Sequence, residues 1–232
     1  MRCIGILGGM GPAATIDFMT KLMALTPSSR DQDHLPVVLV SLPQIPDRSA
    51  AILGFGEDPL PMLEQGVKLL NRADVGLIVI PCATSHHWYQ ELSAISHAPI
   101  MHIANAALDR VPRTGRTLIL ATRGTLASGF FQRTLTDHEI DFEIPDPNSD
   151  QSAIDECIRS IKAGRYESAG RALDPVLKQA VAHGVTSVIM GCTEIPLAAA
   201  HVTTKGLTLI DCSLELARHT VDHALQRGWN RL

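Results

Sequence analysis

Two cysteines each follow a short apolar run directly, and their thiols could transfer protons or attack a substrate. Residues 77–84 read LIVIPCAT and residues 187–194 read SVIMGCTE, which places Cys82 and Cys192 at the ends of two predicted strands. The amide dipoles at the start of a following helix would favour a thiolate there. A single free cysteine is more often a buried packing residue. The repetition of the same setting favours a functional pair.

The other cysteines and the nearby histidines predict no metal site. Three cysteines lack the strand-end setting and are expected to pack in the core: Cys3, Cys157 and Cys212. His86 and His87 follow Cys82 closely, but no CxxC or HxxxH pattern in this stretch completes a set of metal ligands.

A glycine-rich turn and two cations are further candidates for binding. The turn at 8–11 lacks both the G-x-G-x-x-G spacing and the lysine of a phosphate-binding loop, so a nucleotide is not expected. Amides at the start of the helix after this turn could still hold a carboxylate. Arg48 lies in the proline-rich stretch PQIPDRSA, and Lys162 lies in IKAGR near a predicted helix end. Taken alone, each cation is best interpreted as a solvated surface charge.

Short runs of Val, Ile and Leu alternate with longer amphipathic segments along the chain. The runs are continuous, which is typical of parallel strands covered on both faces. Strands are predicted at residues 3–8, 37–42, 76–81, 99–103, 117–122, 140–144, 186–191 and 207–210. Helices are predicted at residues 12–25, 57–73, 84–96, 125–138, 150–163, 166–183 and 212–227. This order predicts an α/β fold with ligands at the carboxyl ends of the strands.

The two halves of the chain resemble each other. The two strand-end cysteines are 110 residues apart in a chain of 232, and CIGILGGMGP at 3–12 has a counterpart in TLILATRGTL at 117–126. We therefore predict two pseudosymmetric lobes, each a mostly parallel sheet flanked by helices, with the active site in the cleft between them. Residues 1–103 are predicted to form the first lobe, completed by a C-terminal helix at 208–232, and residues 104–207 the second.

The overall composition excludes several classes of protein. The net charge is −4 and there is no block of Lys or Arg, so no electrostatic footprint of a nucleic-acid binder is present. No apolar run approaches the ~20 residues that span a bilayer, and the N-terminus lacks the design of a signal peptide. Five widely spaced cysteines, an odd number without a CxxC pair, predict a reduced, cytoplasmic setting.

Taken together, the motifs resemble the aspartate/glutamate racemase superfamily, and within it the aspartate racemases. The resemblance covers nearly the whole chain in order, and it is carried by five stretches: GILGGMGPAAT (5–15), PQIPDR (43–48), IPC-x-T-x-H (80–86), IKAG (161–164) and GCTE (191–194). The glutamate racemase branch typically begins its first loop with an Asp-Ser pair, which GGMGPAAT lacks.

The resemblance implies a cofactor-independent homodimer that racemises an acidic amino acid, with aspartate favoured and glutamate as the alternative. Cys82 and Cys192 would flank the α-carbon of the substrate, one thiolate removing the α-proton and the other thiol returning a proton to the opposite face. The remaining positions implied to contact the substrate are Met10, Arg48, Thr84, Thr122, Lys162 and Thr193. Arg48 and Lys162 would hold its carboxylates.

One position departs from the family pattern. The family usually has Cys-Asn-Thr where this chain has Cys82, Ala83 and Thr84. The asparagine contacts the bound amino acid, so Ala83 removes one amide, with an expected cost of roughly 1–3 kcal/mol in binding or transition-state stabilisation.

Two other functions stay open at this stage. Some relatives decarboxylate or isomerise dicarboxylates on the same scaffold, and several of them retain one functional cysteine. The two intact cysteines favour racemisation over such a reaction. A protein that binds an acidic amino acid without chemistry is the second alternative, and exchange of the α-proton would separate it from an enzyme.

Overall fold

The computed structural model describes residues 2–230 of the chain. Within this range seven strands form two parallel sheets. The first sheet has the order β2-β1-β3, and its strands are β1 (Ile4–Gly8), β2 (Val37–Ser41) and β3 (Leu77–Val79). The second has the order β5-β4-β6-β7, with strands β4 (Arg116–Leu120), β5 (Phe142–Glu143), β6 (Val185–Met190) and β7 (Thr208–Asp211).

Helices flank both sheets. They are α1 (Pro12–Leu25), α2 (Arg48–Ile52), α3 (Leu60–Arg72), α4 (Tyr89–Ile95), α5 (Ile103–Leu108), α6 (Arg123–Ser128), α7 (Phe130–Asp137), α8 (Asp150–Lys162), α9 (Tyr166–Ala182), α10 (Ile195–Ala199) and α11 (Cys212–Gln226). None of the helices in the described range is both long and apolar enough to cross a bilayer. Two parallel sheets flanked by helices confirm the predicted fold class.

The parallel register brings the carboxyl ends of the strands in each sheet to one edge. In the first sheet Ile6 of β1 pairs with Val79 of β3, and in the second Leu120 of β4 pairs with Met190 of β6. The loops after β1, β3, β4 and β6 therefore emerge on the ligand-binding edge that an α/β fold provides.

Some predicted elements differ from the observed ones. The strand predicted at 99–103 is reduced to an isolated bridge between Ile78 and Ile100. The helix predicted at 84–96 begins as a 3₁₀ turn, Ala83–Trp88, and only then continues as α4. The helix predicted at 125–138 is divided into α6 and α7 because Gly129 adopts a left-handed conformation, with φ of 71°, which ends α6.

Three short helices were not predicted: α2, α5 and α10. Each spans about five or six residues, which is too short for an amphipathic period to show in the sequence. Local chemistry explains why α2 forms: the carboxylate of Asp47 accepts a hydrogen bond of 2.9 Å from the amide of Ala50 and so caps the helix.

One hydrophobic cluster joins the two sheets. It contains Ile6 of β1 and Ile119 of β4 together with residues of the helices between the sheets, among them Phe18 of α1 and Leu216 of α11. Helix α11 packs against both α1 and α5. Separate clusters cover the outer faces of the two sheets. The predicted boundaries of the two lobes stay a prediction, and residues 231–232 of the predicted C-terminal helix lie outside the described range.

Candidate active site

Cys82 lies at the carboxyl edge of the first sheet, three residues beyond the end of β3. Its amide donates to the carbonyl of Ile80 at 2.8 Å, which turns the chain sharply away from the strand. Its own carbonyl lies 3.0 Å from Nδ1 of the buried His86, in the 3₁₀ turn that follows. The side chain is about 5% exposed. The thiol is therefore held on a short, hydrogen-bonded turn beneath the surface.

Cys192 occupies the matching place after β6, beside a buried acid. Its Sγ donates to Oε2 of Glu194 at 3.1 Å, and the hydroxyl of Thr193 donates to the same oxygen at 3.2 Å. All three side chains are at most about 5% exposed. Burial, and next the negative charge of Glu194, raise the pKa of the Cys192 thiol well above its ordinary value. Cys192 is consequently a protonated thiol with a carboxylate in position to receive its proton.

Three threonine hydroxyls connect the loops that follow β3 and β4. Oγ1 of Thr84 lies 3.0 Å from Oγ1 of Thr122 and 2.9 Å from Oγ1 of Thr125. The hydroxyl of Thr122 donates to that of Thr125 at 2.9 Å and accepts from the Thr125 amide at 3.1 Å, so Thr122 also caps α6. We call these three side chains the hydroxyl triad. The triad ties the Cys82 loop to the second sheet.

Glu194 lies close to the glycine-rich loop of the first sheet. A Cβ placed on Gly11 would come within 3.3 Å of Oε1 of Glu194, so the backbone of the loop nearly touches this carboxylate. The neighbouring Met10 is buried, and its Sδ lies 3.2 Å from the hydroxyl of Ser85. The loop after β1 therefore contacts residues that follow both cysteines.

Arg48 is half-buried at the start of α2 and is largely committed to the backbone. Its Nη1 donates to the carbonyls of Ile45 and Pro46 at 3.2 and 3.0 Å, and Nη2 lies 3.5 Å from the carbonyl of Met10. Its Nε, like Oε1 of Glu194, is buried and has no hydrogen-bond partner within residues 2–230. A buried donor and a buried acceptor thus remain free for a ligand.

Arg48 and Glu194 line a cavity of about 410 Å³, which also has Met10 and Lys162 in its wall. A second cavity of about 520 Å³ lies beside it and shares Lys162. The remaining residues lining the second cavity are Asp47, Ser49, Ala50, Leu53, Phe55, Thr122, Arg123, Asp155, Ile158 and Arg159. Lys162 is exposed and stands between the two spaces. Neither cavity has a cysteine in its wall, so both sulfurs lie behind the surfaces that these cavities present.

The structure therefore brings most of the predicted residues into one region. Met10, Arg48 and Lys162 share one cavity, Thr122 and Lys162 share the other, and Thr193 joins Cys192 at the carboxylate of Glu194. Thr84 reaches this region through the hydroxyl triad.

Sequence reasoning assigned no role to Glu194, His86 or Thr125, although all three are buried and hydrogen-bonded to predicted residues. The only signal for Glu194 in the sequence was its place two residues after a strand-end cysteine, in the GCTE stretch. Ala83, where the family pattern has asparagine, is buried in the cluster shared by the two sheets. Within residues 2–230 no group of three or more His, Cys, Asp and Glu side chains is arranged to hold a metal ion.

Comparison with known proteins places this arrangement in a family. The family described as Asp/Glu/Hydantoin racemase matches residues 7–220. The broad specificity amino-acid racemase RacX of Bacillus subtilis is 27% identical over 223 residues, which cover 94% of this chain and 96% of the relative. The structure of Picrophilus torridus aspartate racemase superposes with a TM-score of 0.86 at 27% identity, covering all of both chains.

More distant structures share the fold. Glutamate racemase from Francisella tularensis, solved in complex with D-glutamate, superposes with a TM-score of 0.70 at 18% identity and covers 98% of this chain and 82% of its own. The family match spans more than nine tenths of the sequence and confirms the resemblance that the motifs predicted. The chain belongs to the Asp/Glu/hydantoin racemase family, and it is a racemase, an isomerase of amino acids.

Proposed function

We propose that this enzyme racemises an acidic amino acid by proton transfer between Cys82 and Cys192. The observation that carries the proposal is the cavity in which Arg48 and Lys162 lie beside Glu194, the hydrogen-bond acceptor of the Cys192 thiol. Two cations suit a substrate with two carboxylates, and a thiol bonded to a base suits proton transfer at a carbon atom.

The reaction needs no change of oxidation state. Glu194 accepts the thiol proton of Cys192, and the resulting thiolate takes the α-proton from one face of the substrate. The C–H electron pair moves into the α-carboxylate, which becomes an enediolate. As that pair returns to the α-carbon, the carbon takes a proton from the Cys82 thiol on the other face. This turnover leaves Cys82 as a thiolate and Glu194 protonated. The opposite enantiomer then reacts with the two sulfurs in exchanged roles: Cys82 takes its α-proton, Cys192 supplies the new proton, and Glu194 returns its proton to Cys192.

Removal of the α-proton is the main barrier, since a thiolate is a weak base for an α-C–H bond and negative charge develops on the enediolate. Hydrogen-bond donors aimed at that charge are often the largest catalytic contribution. The hydroxyls of Thr84 and Thr122 are held in the hydroxyl triad, where Thr122 donates its proton to Thr125. Either hydroxyl must turn out of the triad to donate to the enediolate. Ala83 supplies no amide donor in this position.

A wider range of side chains is a second candidate for the substrate. The cavity beside Lys162 has an apolar wall containing Ala50, Leu53, Phe55 and Ile158. Among the relatives, RacX is described as having broad specificity. An apolar wall next to a cation would admit longer aliphatic side chains as well as carboxylates, so neutral amino acids belong in the same assay.

The test measures α-deuteration of L- and D-amino acids in D₂O by NMR, together with the enantiomer ratio of the product, for the wild-type protein and for Cys82→Ala and Cys192→Ala. Each variant should lose net conversion by about 100-fold or more, because each direction needs one cysteine as base and the other as acid. Replacement of Cys157 by Ala serves as the matched control, since it removes another buried thiol and should change stability rather than turnover.

Conversion by either single variant at a rate close to wild type would exclude the two-cysteine mechanism. Binding of aspartate without exchange of its α-proton would indicate a protein that binds but does not react. Retention of activity after dialysis against EDTA tests the expectation that no metal takes part. The homodimeric state and the cytoplasmic location stay predictions.

A further inference from the structure

His86 lies directly behind Cys82 and makes two contacts with backbone carbonyls. Its Nδ1 is 3.0 Å from the carbonyl oxygen of Cys82, and its Nε2 is 3.4 Å from that of Met101. The side chain is about 3% exposed. The mechanism described above gives this buried imidazole no role.

A neutral imidazole has one N–H, so it can donate to only one of the two carbonyls. Burial lowers the pKa of His86 to about 4, and the ring is therefore neutral near pH 7. The contact at 3.0 Å has the length of a normal hydrogen bond, whereas the contact at 3.4 Å is long. The proton accordingly belongs on Nδ1, where it is donated to Cys82.

The surrounding aromatic rings hold the imidazole in place. The ring of His102 contacts it edge-on with centroids 5.0 Å apart, and Phe130 lies 6.3 Å away. Tyr89 lies nearly parallel to it at 6.5 Å, and the hydroxyl of Tyr89 is in turn fixed to the carbonyl of Ile100 at 3.1 Å. A ring confined on several sides holds the carbonyl to which it donates in one position.

We propose that His86 is a positioning residue for Cys82. The Nδ1–H of His86 fixes the Cys82 carbonyl, and this fixes the direction in which the short turn points the thiol into the cleft. The inference rests on the proposed function, because it assigns the orientation of one of the two cysteines to a residue that touches neither substrate nor sulfur. A shift of about 1 Å at a reacting group can cost about 100-fold in rate.

Three substitutions separate the two contacts of His86. His86→Asn keeps an N–H close to the position of Nδ1, His86→Gln can place one close to Nε2, and His86→Leu removes both. The readout is α-deuteration of each enantiomer in D₂O, measured separately, with Cys82→Ala as the reference. Cys82→Ala should lose exchange for the enantiomer whose proton faces Cys82 and keep exchange for the other.

If His86 positions Cys82, His86→Leu reproduces this selectivity, with a loss of about 10- to 100-fold for the enantiomer that needs Cys82 as its base. His86→Asn should restore exchange to within a few-fold of wild type, and His86→Gln should not. His87→Leu is the matched control, because it removes the neighbouring imidazole of the same 3₁₀ turn, whose ring packs against Trp88. It should affect both enantiomers equally.

Equal losses for both enantiomers in His86→Leu, or equal activities of the Asn and Gln variants, would overturn the inference and leave His86 a packing residue. If His86→Leu does not fold, the comparison of Asn with Gln decides alone. Failure of the proposed function would give a different result. Cys82→Ala would then show no preference between the enantiomers, and the role inferred for His86 would be wrong as well.

Discussion

At Arg48 most of the guanidinium is already hydrogen-bonded to the protein's own backbone. Nη1 serves two carbonyls, and Nη2 lies at 3.5 Å from a third. This arrangement fixes the plane of the fork before any ligand arrives, which lowers the entropy lost on binding. Nε remains buried and free, so the side chain keeps a preorganised donor for a carboxylate.

Arg48→Lys should therefore lower kcat/KM for aspartate by about 10- to 100-fold. An ammonium group cannot hold the backbone carbonyls and also keep a fixed donor free for the substrate, and a charged hydrogen bond contributes roughly 1.5–3 kcal/mol. The loss should be much smaller for alanine, which has no side-chain carboxylate. Steady-state kinetics with both substrates check this. Equal losses for both substrates, or no loss, would remove Arg48 from the recognition of the side chain.

The sequence alone could single out the two cysteines, because strand ends are local patterns. Arg48 and Lys162 were assigned to the site only through the family resemblance, and the roles of all four residues stay predictions. The partners of these residues could not be predicted in the same way. Glu194 bonds to Cys192 only after the chain has turned beyond β6, and its second oxygen approaches Gly11, which is 183 residues away in the sequence. Such a contact depends on how two sheets are placed, and no local pattern encodes it.

At the level of elements, the hydroxyl triad joins a 3₁₀ turn of one sheet to a helix of the other. Thr125 is fully buried on α6, and its hydroxyl contacts both Thr84 and Thr122. Close packing supports the same junction, since a Cβ on Gly124 would meet the Cα of Ser49 in α2 at 2.6 Å. The start of α6 is thus fixed against two elements of the first half of the chain.

Thr125→Val keeps the shape of the side chain and removes its hydroxyl. We expect a loss of about 1–2 kcal/mol in the free energy of unfolding, because the hydroxyl of Thr84 loses a buried partner. We also expect about a tenfold drop in kcat/KM, since Thr84 follows Cys82 closely. Urea unfolding and steady-state kinetics measure both, and Thr125→Ser, which keeps the hydroxyl, should recover most of the activity. Full activity in Thr125→Val would show that the triad serves stability alone.

The elements themselves were predictable to different degrees. The strands followed from apolar runs because parallel strands are buried on both faces, and β1 illustrates this with every residue buried. Helices of 13 or more residues such as α3, α8 and α9 also followed from their pattern. The short helix α2 depends on a single cap at Asp47, and the division between α6 and α7 depends on one left-handed glycine, Gly129. Neither feature produces a hydrophobic period that can be recognised in the sequence.

Across the whole molecule, the buried histidines make stability depend on pH. Burial first, and then the charges of His86 and Arg133, lower the pKa of His102 from its ordinary value of 6.5 to about 3. Because the pKa is lower in the folded state, His102 is protonated in the unfolded chain and neutral in the folded chain at pH values between about 3 and 6.5. The stability that His102 contributes is therefore fully present above pH 6.5 and is lost as the pH falls toward 3.

His102→Asn tests this, because an asparagine oxygen can still accept from the amide of Ala104, as Nδ1 of His102 does at 3.2 Å. Wild-type protein should lose about 1–2 kcal/mol between pH 7 and pH 5 on account of this residue alone, and the variant should lose that much less. Urea midpoints at a series of pH values provide the measurement. If the urea midpoints of the two proteins change equally with pH, protonation of His102 does not destabilise the folded state.

The two sulfurs assigned to the reaction are almost sealed from solvent, at about 5% exposure each. A bulky maleimide can therefore reach Cys82 or Cys192 only when the loops that cover them move aside. Substrate must use the same opening, so the rate at which these thiols are labelled measures how often the site opens. That opening rate is an upper limit on turnover, and a bound ligand should slow the labelling in proportion to its occupancy.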